Sequence, residues 1–273
     1  MQRKEQPTDR GILKAEIGMQ NFALMRYSPS SALIPYIEHY WTVEWDLRGQ
    51  PPFSQNVLSY PNVNLSFENE SGRRFTGVYG VPRTIYTRHL QDTGMVLGIK
   101  FRPGGFYPFW QQPVSLLTGQ TIPAKKLFGE QISQIEEQLW EQNNSEQMAQ
   151  LAEQWLLTRL PSRPDPNTLL VNEIVQAAIS SREMTQVEQM AAQFNISTRA
   201  LQRLFSRYVG VSPKWVIQRF RLQEAAERMD TGDVTDWTAL SQELGFFDQA
   251  HFIKAFKSLI GKSPDAYRKA TLL

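Results

Sequence analysis

The sequence predicts an α+β protein of more than one domain. A β-rich sandwich or barrel ending in helices precedes an all-α domain of two helix-turn-helix units joined by a long helix. Three observations carry this expectation. Short aromatic and β-branched runs, separated by Gly, Pro and Asn, fill residues 21–101, as antiparallel strands do. The PSRPDPN stretch, Pro161 to Asn167, has three prolines in seven residues, and proline can neither donate to a helix nor let its neighbour stay helical. Beyond it a small unit recurs: subtracting 51 places Phe256 on Phe205, Gly261 on Gly210, and Ser263-Pro264 on Ser212-Pro213. The expected boundaries are 1–160, a linker at 161–167, and 168–273.

In the front part the strand candidates are HYWTVEWDL, NVLSYP, NVNLSFE, RRFTGVYG and MVLGIKF. Alternate strand residues share a face, so Trp41, Val43 and Trp45 point the same way. Together with Tyr79 and Tyr86 they suggest an aromatic pocket for an apolar or cationic small molecule. The same side chains also suit the filling of a barrel core, which is the plainer reading, and both stay open at this point. Arg83, Arg88, Arg102 and His89 suit either an anionic group or surface pairing. From Lys125 to Leu160 apolar residues recur at helical spacing, giving two helices broken near Asn143–Asn144.

At 273 residues the chain can bury two cores, and its composition is that of an ordinary globular protein. It has no cysteine and three histidines, with no His-x-His pair. His39 and His89 are therefore a poor basis for a metal site, and neither metal nor cofactor is expected. Without a thiol nucleophile or a Ser–His–Asp constellation, no catalytic residue is nominated and an enzyme is not expected. No run of 18 apolar residues occurs, and the opening MQRKEQPTDRGILKAE lacks the apolar core of a secretory signal. The expectation is a cytoplasmic protein with no membrane partner.

In the back part Ser197 caps a helix to Tyr208, and Gly210 ends it. Ser212-Pro213 opens a long helix to about Met229, with proline where its missing N–H costs nothing. The cycle restarts with Trp237 to Leu244, a turn at Gly245–Phe247, a helix from Asp248 to Leu259, and a second Ser-Pro cap. Met190, Phe194 and Ile196 can close on Leu201, Leu204 and Phe205; Leu240, Leu244 and Phe246 on Phe252, Ala255 and Phe256. The outward faces differ. Thr198, Arg199, Gln202 and Arg203 share one face in the first copy, where the second holds Gln249, Ala250, Ile253 and Lys254 beside His251. Arg reads guanine, Gln reads adenine, and an apolar group meets a thymine methyl, each worth ~1–3 kcal/mol of discrimination. The repeated positions are scaffold and the varied ones are address. Residues 199–221 add six bases and no acid, a stripe suited to phosphate as well as to a solvated face.

RLFSRYVGVSPKWVIQRFRLQEAAERM and ELGFFDQAHFIKAFKSLIGKSPDAYR resemble the DNA-binding domain of AraC/XylS-type transcription regulators. Gly245, Phe246, Phe252, Lys254, Phe256, Lys257, Gly261, Ser263, Pro264, Tyr267 and Arg268 fall on that family's second-unit pattern. The resemblance covers roughly 100 residues. It implies two helices, 197–208 and 248–259, in successive major-groove segments of double-stranded promoter DNA, about one turn apart. By position, Arg199, Gln202 and Arg203 are base readers of the first unit, and Gln249, Ala250, His251, Ile253 and Lys254 occupy the corresponding places of the second. Ala250 and Ile253 depart from the hydrogen-bonding residues common there, implying weaker or methyl-based readout. Lys214, Lys257 and Lys262, with the helix starts at Ser197 and Ser212, are phosphate candidates. Residues 33–129, with IPYIEHYW, VYGVPRT and GIKFRPGGFYPF, resemble an uncharacterised class of cupin-like domains attached to such regulators. The resemblance implies RNA polymerase as a further partner, activation as the commoner mode, a small-molecule effector, and a monomer or homodimer. Two alternatives stay open: a DNA-binding or interaction module without effector, and an enzyme carrying an appended DNA-binding domain.

Overall fold

The computed structural model describes residues 18–58, 60–230 and 236–271. Eight strands follow in order: β1 Ala23–Tyr27, β2 Ile37–Asp46, β3 Phe53–Val57, β4 Asn64–Glu70, β5 Arg73–Tyr79, β6 Tyr86–Leu90, β7 Thr93–Phe101 and β8 Thr121–Pro123. Six form an antiparallel sheet in the order β1-β2-β7-β4-β5-β8, and β3 pairs with β6 in a separate ribbon. Three of these strands escape the sequence reading. β1 (ALMRY) and β6 (YTRHL) lack a clear alternation, β8 is three residues long, and the strand expected in NVLSYP lies earlier, at β3.

The alternation of side chains gives the large sheet two different faces. Ile37, Tyr40, Leu65, Phe67, Leu97, Ile99 and Phe101 point to one side and are almost fully buried. They share a core with Ile132, Ile135 and Leu139 of α3 (Gln131–Trp140) and Met148, Ala152 and Leu156 of α4 (Ser145–Leu157). A single turn, α2 (Lys125–Phe128), precedes these two, so the expected pair of helices becomes three. The break falls where expected: Asn144 caps α4, its side chain accepting from the Gln147 amide at 3.0 Å. Between the sheet and α2 lie a short helix, α1 (Tyr107–Trp110), and a 3-10 turn at Val114–Leu117.

The back part is α5 Pro166–Ser180, α6 Val187–Gln193, α7 Thr198–Tyr208, α8 Pro213–Asp230, α9 Trp237–Glu243, α10 Gln249–Ile260 and α11 Pro264–Thr271. The proline-rich segment ends two residues early, because Asp165 already caps α5 with Pro166 in its first turn. The boundary is also not a break in the core. Val171, Ile174 and Phe205 belong to the same buried cluster as the sheet, whereas Phe252, Phe256 and Leu259 form a second cluster joined by Leu58. Strut helix α8 feeds both, with Val216, Ile217 and Phe220 in the first and Leu222, Ala225 and Met229 in the second. Among the described residues no helix is long and apolar enough to cross a membrane.

Candidate nucleic-acid interface and buried cavity

Each two-helix unit aims its second helix by local chemistry. In the first, Asn195 takes φ +53°, the Ile196 amide donates back to Ala191 at 3.1 Å, and Ser197 Oγ accepts from the Ala200 amide at 3.2 Å. In the second, Gly245 takes φ +76°, the Phe246 amide donates to Ser241 at 2.9 Å, and Asp248 Oδ1 accepts from the His251 amide at 2.7 Å. Positive φ is easy for glycine and tolerable for asparagine, which is why these residues stand at the turn. Before the turn the copies match at an offset of 50, after it at 51. The second unit therefore has one extra residue, Phe247, and it is 91% exposed at the mouth of α10. Sequence reasoning took 51 from the landmarks beyond the turn and passed over it; Ile196 aligning with Phe246 was the available signal.

The predicted reading residues separate by exposure. Arg199, Gln202 and Arg203 are exposed on one face of α7, and Thr198 is half-buried. On α10, Ala250, His251 and Lys254 are exposed; Gln249 is half-buried and accepts from Thr238 Oγ1 at 3.2 Å. Ile253 is half-buried too and leans on the unit's own core. Lys214, Lys257 and Lys262 are exposed. Ser197 and Ser212 are exposed and spend their hydroxyls on capping, Ser212 Oγ accepting from the Trp215 amide at 3.1 Å.

The six-base stripe read from the sequence does not lie on one surface. Arg219 and Arg221 are each 2% exposed. Arg221 pairs with Glu224 at 2.7 Å and donates to the Ala178 carbonyl at 3.1 Å; Arg219 donates to Gln223 and lies 5.5 Å from the Tyr60 ring. The middle of α8 is covered by protein, so Arg219 and Arg221 face inward while Lys214, in its first turn, stays exposed. Arg207 remains at the surface but donates through Nε to Tyr107 Oη at 2.7 Å. Arg199, Arg203 and Lys214 are left facing solvent.

That Arg207 contact is part of a seam between front and back. The Tyr107 and Tyr208 rings meet at a 43° tilt with centroids 4.3 Å apart, Thr118 Oγ1 donates to the Gly210 carbonyl at 2.5 Å, and Ser115 and Ser206 hydroxyls meet at 3.3 Å. Tyr208 Oη donates to Asp165 at 2.6 Å, fastening the proline-rich segment to α7. The second unit touches the front part through the Ile85 amide, which donates to the Ser258 carbonyl at 3.4 Å.

The second face of the sheet, the β3–β6 ribbon, α5 and α8 line a cavity of about 1080 Å3 that is open to solvent on one side. Trp41, Trp45, Tyr79 and Tyr86 all line it. Two glycines let the indoles lie flat on the sheet: a Cβ at Gly98 would sit 2.0 Å from the Trp41 ring, and one at Gly94 2.2 Å from Trp45. Trp45 is buried in a small cluster with Phe22, Leu47, Leu90 and Val96, so it also serves as filler. Trp41 stays half-open to the cavity. Tyr79 and Tyr86 meet edge to face at 6.3 Å. Tyr79 Oη donates to Glu68, which also accepts from Ser66 at 2.7 Å and pairs with Arg88 at 2.8 Å. Burial, then the Glu68 charge, pushes the Tyr79 phenol far up and keeps it protonated. Arg88 is thus committed to Glu68 and Glu70 rather than to solvent.

His39 and His89 lie in different sheets. His89 Nδ1 meets Ser54 Oγ at 2.8 Å, while burial, reinforced by Lys100, Arg26 and Arg102, pushes the His39 imidazole down to about 3.

This architecture is a tandem helix-turn-helix behind a β-sheet domain, and comparison with known proteins gives the domains their families. Residues 190–270 match a helix-turn-helix domain model, and residues 25–123 match a domain of unknown function, DUF6597. The chain is 33% identical over 125 residues to the uncharacterised HTH-type transcriptional regulator YidL of Escherichia coli, covering 43% of this chain and 40% of that one. It is 39% identical over 84 residues to the HTH-type transcriptional regulator MtrA of Neisseria gonorrhoeae, covering 30% and 27%. The C-terminal domain of AraT, a response regulator from Geobacillus stearothermophilus, is 25% identical, covers 40% of this chain and 88% of that one, and superposes with a TM-score of 0.33. The chain spans less than half the length of the curated relatives it matches. Its C-terminal part thus matches a helix-turn-helix domain and is similar to parts of HTH-type transcriptional regulators.

Proposed function

We propose that the protein is a sequence-specific DNA-binding transcription regulator whose two recognition helices, α7 and α10, enter successive major-groove segments. A small molecule in the cavity behind α8 modulates it, and RNA polymerase is its partner at the promoter. One observation carries the reading: two capped helices of the same scaffold expose different side chains, Arg199, Gln202 and Arg203 on one and Ala250, His251 and Lys254 on the other. Faces that only needed solvation would gain nothing from an exposed Arg-Gln-Arg set beside two capped helix starts. α8 spans 18 residues, about 27 Å at 1.5 Å per residue, and ties both units to the cavity wall. An effector against α8 thus has a short mechanical route to the spacing of the readers.

Fluorescence anisotropy on a preferred duplex tests the assignment. Arg203→Ala should weaken binding by ~1–3 kcal/mol and relax one base position. Lys257→Ala should weaken every sequence alike and lower the salt slope by about one unit. Undiminished binding by Arg203→Ala would remove α7 from the reading role.

A further inference from the structure

The surplus residue of the second turn, Phe247, stands immediately before Asp248, the cap of α10. An apolar residue at that place commonly folds back on the fourth residue of the helix and fixes the angle of entry. Here the fourth residue, Phe252, is fully buried, but the ring against it is Phe246, with centroids 5.4 Å apart at 74°. Phe246 also meets the His251 ring at 5.5 Å. The stapling place is therefore filled, and Phe247 is left outside. Its exposure of 91% stands apart from the other exposed large apolar residues described, which lie between 38% and 57%. Packing within the chain does not account for this ring.

The polar groups at the same end of α10 are largely committed. Asp248 Oδ1 accepts from the His251 amide at 2.7 Å, and Gln249 Oε1 accepts from Thr238 Oγ1 at 3.2 Å. Ile253, the apolar reader expected from the sequence, leans on the unit's own core. The exposed residues that remain, Ala250, His251 and Lys254, follow Phe247 at three, four and seven positions, so Phe247 extends their row by one turn. Lys257 and Lys262 are exposed farther along. An apolar tip followed by cations suits a groove whose floor carries methyl groups and whose walls carry phosphates. We propose that Phe247, with Ala250, recognises thymine through its 5-methyl group, the apolar mark that base presents in the major groove. The first residues of a recognition helix are the ones that reach base edges, and Phe247 stands at that end. The two units then read by different chemistry: α7 through the hydrogen bonds of Arg199, Gln202 and Arg203, α10 through apolar contact. This rests on the DNA-reading role proposed above and specifies what the second helix reads.

The experiment uses the full chain and the duplex it prefers in selection from random DNA; the α10 block is the one that Arg203→Ala leaves unrelaxed. Anisotropy compares that duplex with copies in which deoxyuridine, lacking only the 5-methyl group, replaces thymidine in one block at a time. Replacement in the α10 block should weaken binding about fourfold per contacted methyl, the worth of one CH2 group withdrawn from water. Replacement in the α7 block should leave binding within about twofold, since its readers are polar. Phe247→Ala should weaken the thymine duplex by a similar factor and then bind the thymine and uracil duplexes alike. A ring that served only the fold would, when removed, lower thermal stability and weaken both duplexes equally, keeping the thymine preference. An α10 block without thymine on either strand, equal binding of the two duplexes by the parent chain, or a preference that survives Phe247→Ala would overturn the proposal and leave the DNA-reading assignment standing. Failure to select any duplex would remove that assignment and this proposal together.

Discussion

The two helix-turn-helix units share a plan but not a setting. The core of the first, around Phe205, is continuous with the sheet, and α7 with the turn that follows it is fastened to the front part at Tyr107, Ser115 and Thr118. The second closes a small core of its own around Phe252 and Phe256 and meets the front part at Leu58 and Ile85. A duplicated unit can therefore keep its internal packing while its coupling to the rest of the molecule diverges. In this protein the first unit is held by the front part, and the second is carried by α8.

Core truncation should break that comparison most strongly. Phe205→Ala and Phe256→Ala each remove a fully buried ring and should cost ~3–5 kcal/mol. Their footprints should differ under native-state hydrogen exchange. Phe205→Ala should speed exchange in β4 and β7 as well as in α7; Phe256→Ala should speed it in α9 and α10 and leave the sheet protected. Matching footprints would mean that the two cores unfold as one.

Acid should sharpen the same contrast with a smaller effect. His39 is held down to about 3 in the folded chain by burial and by Lys100, Arg26 and Arg102, against an ordinary value of 6.5. Below pH 6.5 the unfolded chain binds a proton that the folded chain refuses. Its contribution is therefore intact above 6.5 and falls by roughly 1 kcal/mol per pH unit down to about 3. The sheet and first unit should lose stability in that window, and His39→Gln should flatten the dependence. The second unit's melting should follow pH in the same way with or without the substitution.

The smallest expected effect concerns the turns. Phe247→Ser should leave stability within about 0.5 kcal/mol, since the ring is exposed, yet weaken DNA binding by about 1 kcal/mol, since it stands at the entry to α10. Ile196→Ser, its half-buried neighbour in the alignment, should act the other way, lowering stability through the shared core. Thermal unfolding beside anisotropy separates the two. An Ile196→Ser protein as stable as the parent would remove the distinction between the turns.

What the sequence disclosed was local. Ser212-Pro213, Ser263-Pro264, Gly210 and Gly261 punctuate helices by backbone chemistry, so the back half is legible residue by residue. Strands β1 and β6 were not, because ALMRY and YTRHL alternate too weakly to announce a face. Arg219 and Arg221 counted as surface charge because a helix sequence does not say how many sides are covered. Trp41, Trp45, Tyr79 and Tyr86 of the front part line one space, but the cations that share it come from β1, β7 and α8. Only the fold brings those three together.

The most direct test of the central claim is selection of bound fragments from random duplex DNA by the full chain at about 150 mM salt, where non-specific binding is weak. The expected result is one enriched site with two short blocks about one helical turn apart, with Arg203→Ala relaxing the block assigned to α7. A single block, or no enrichment, would contradict it.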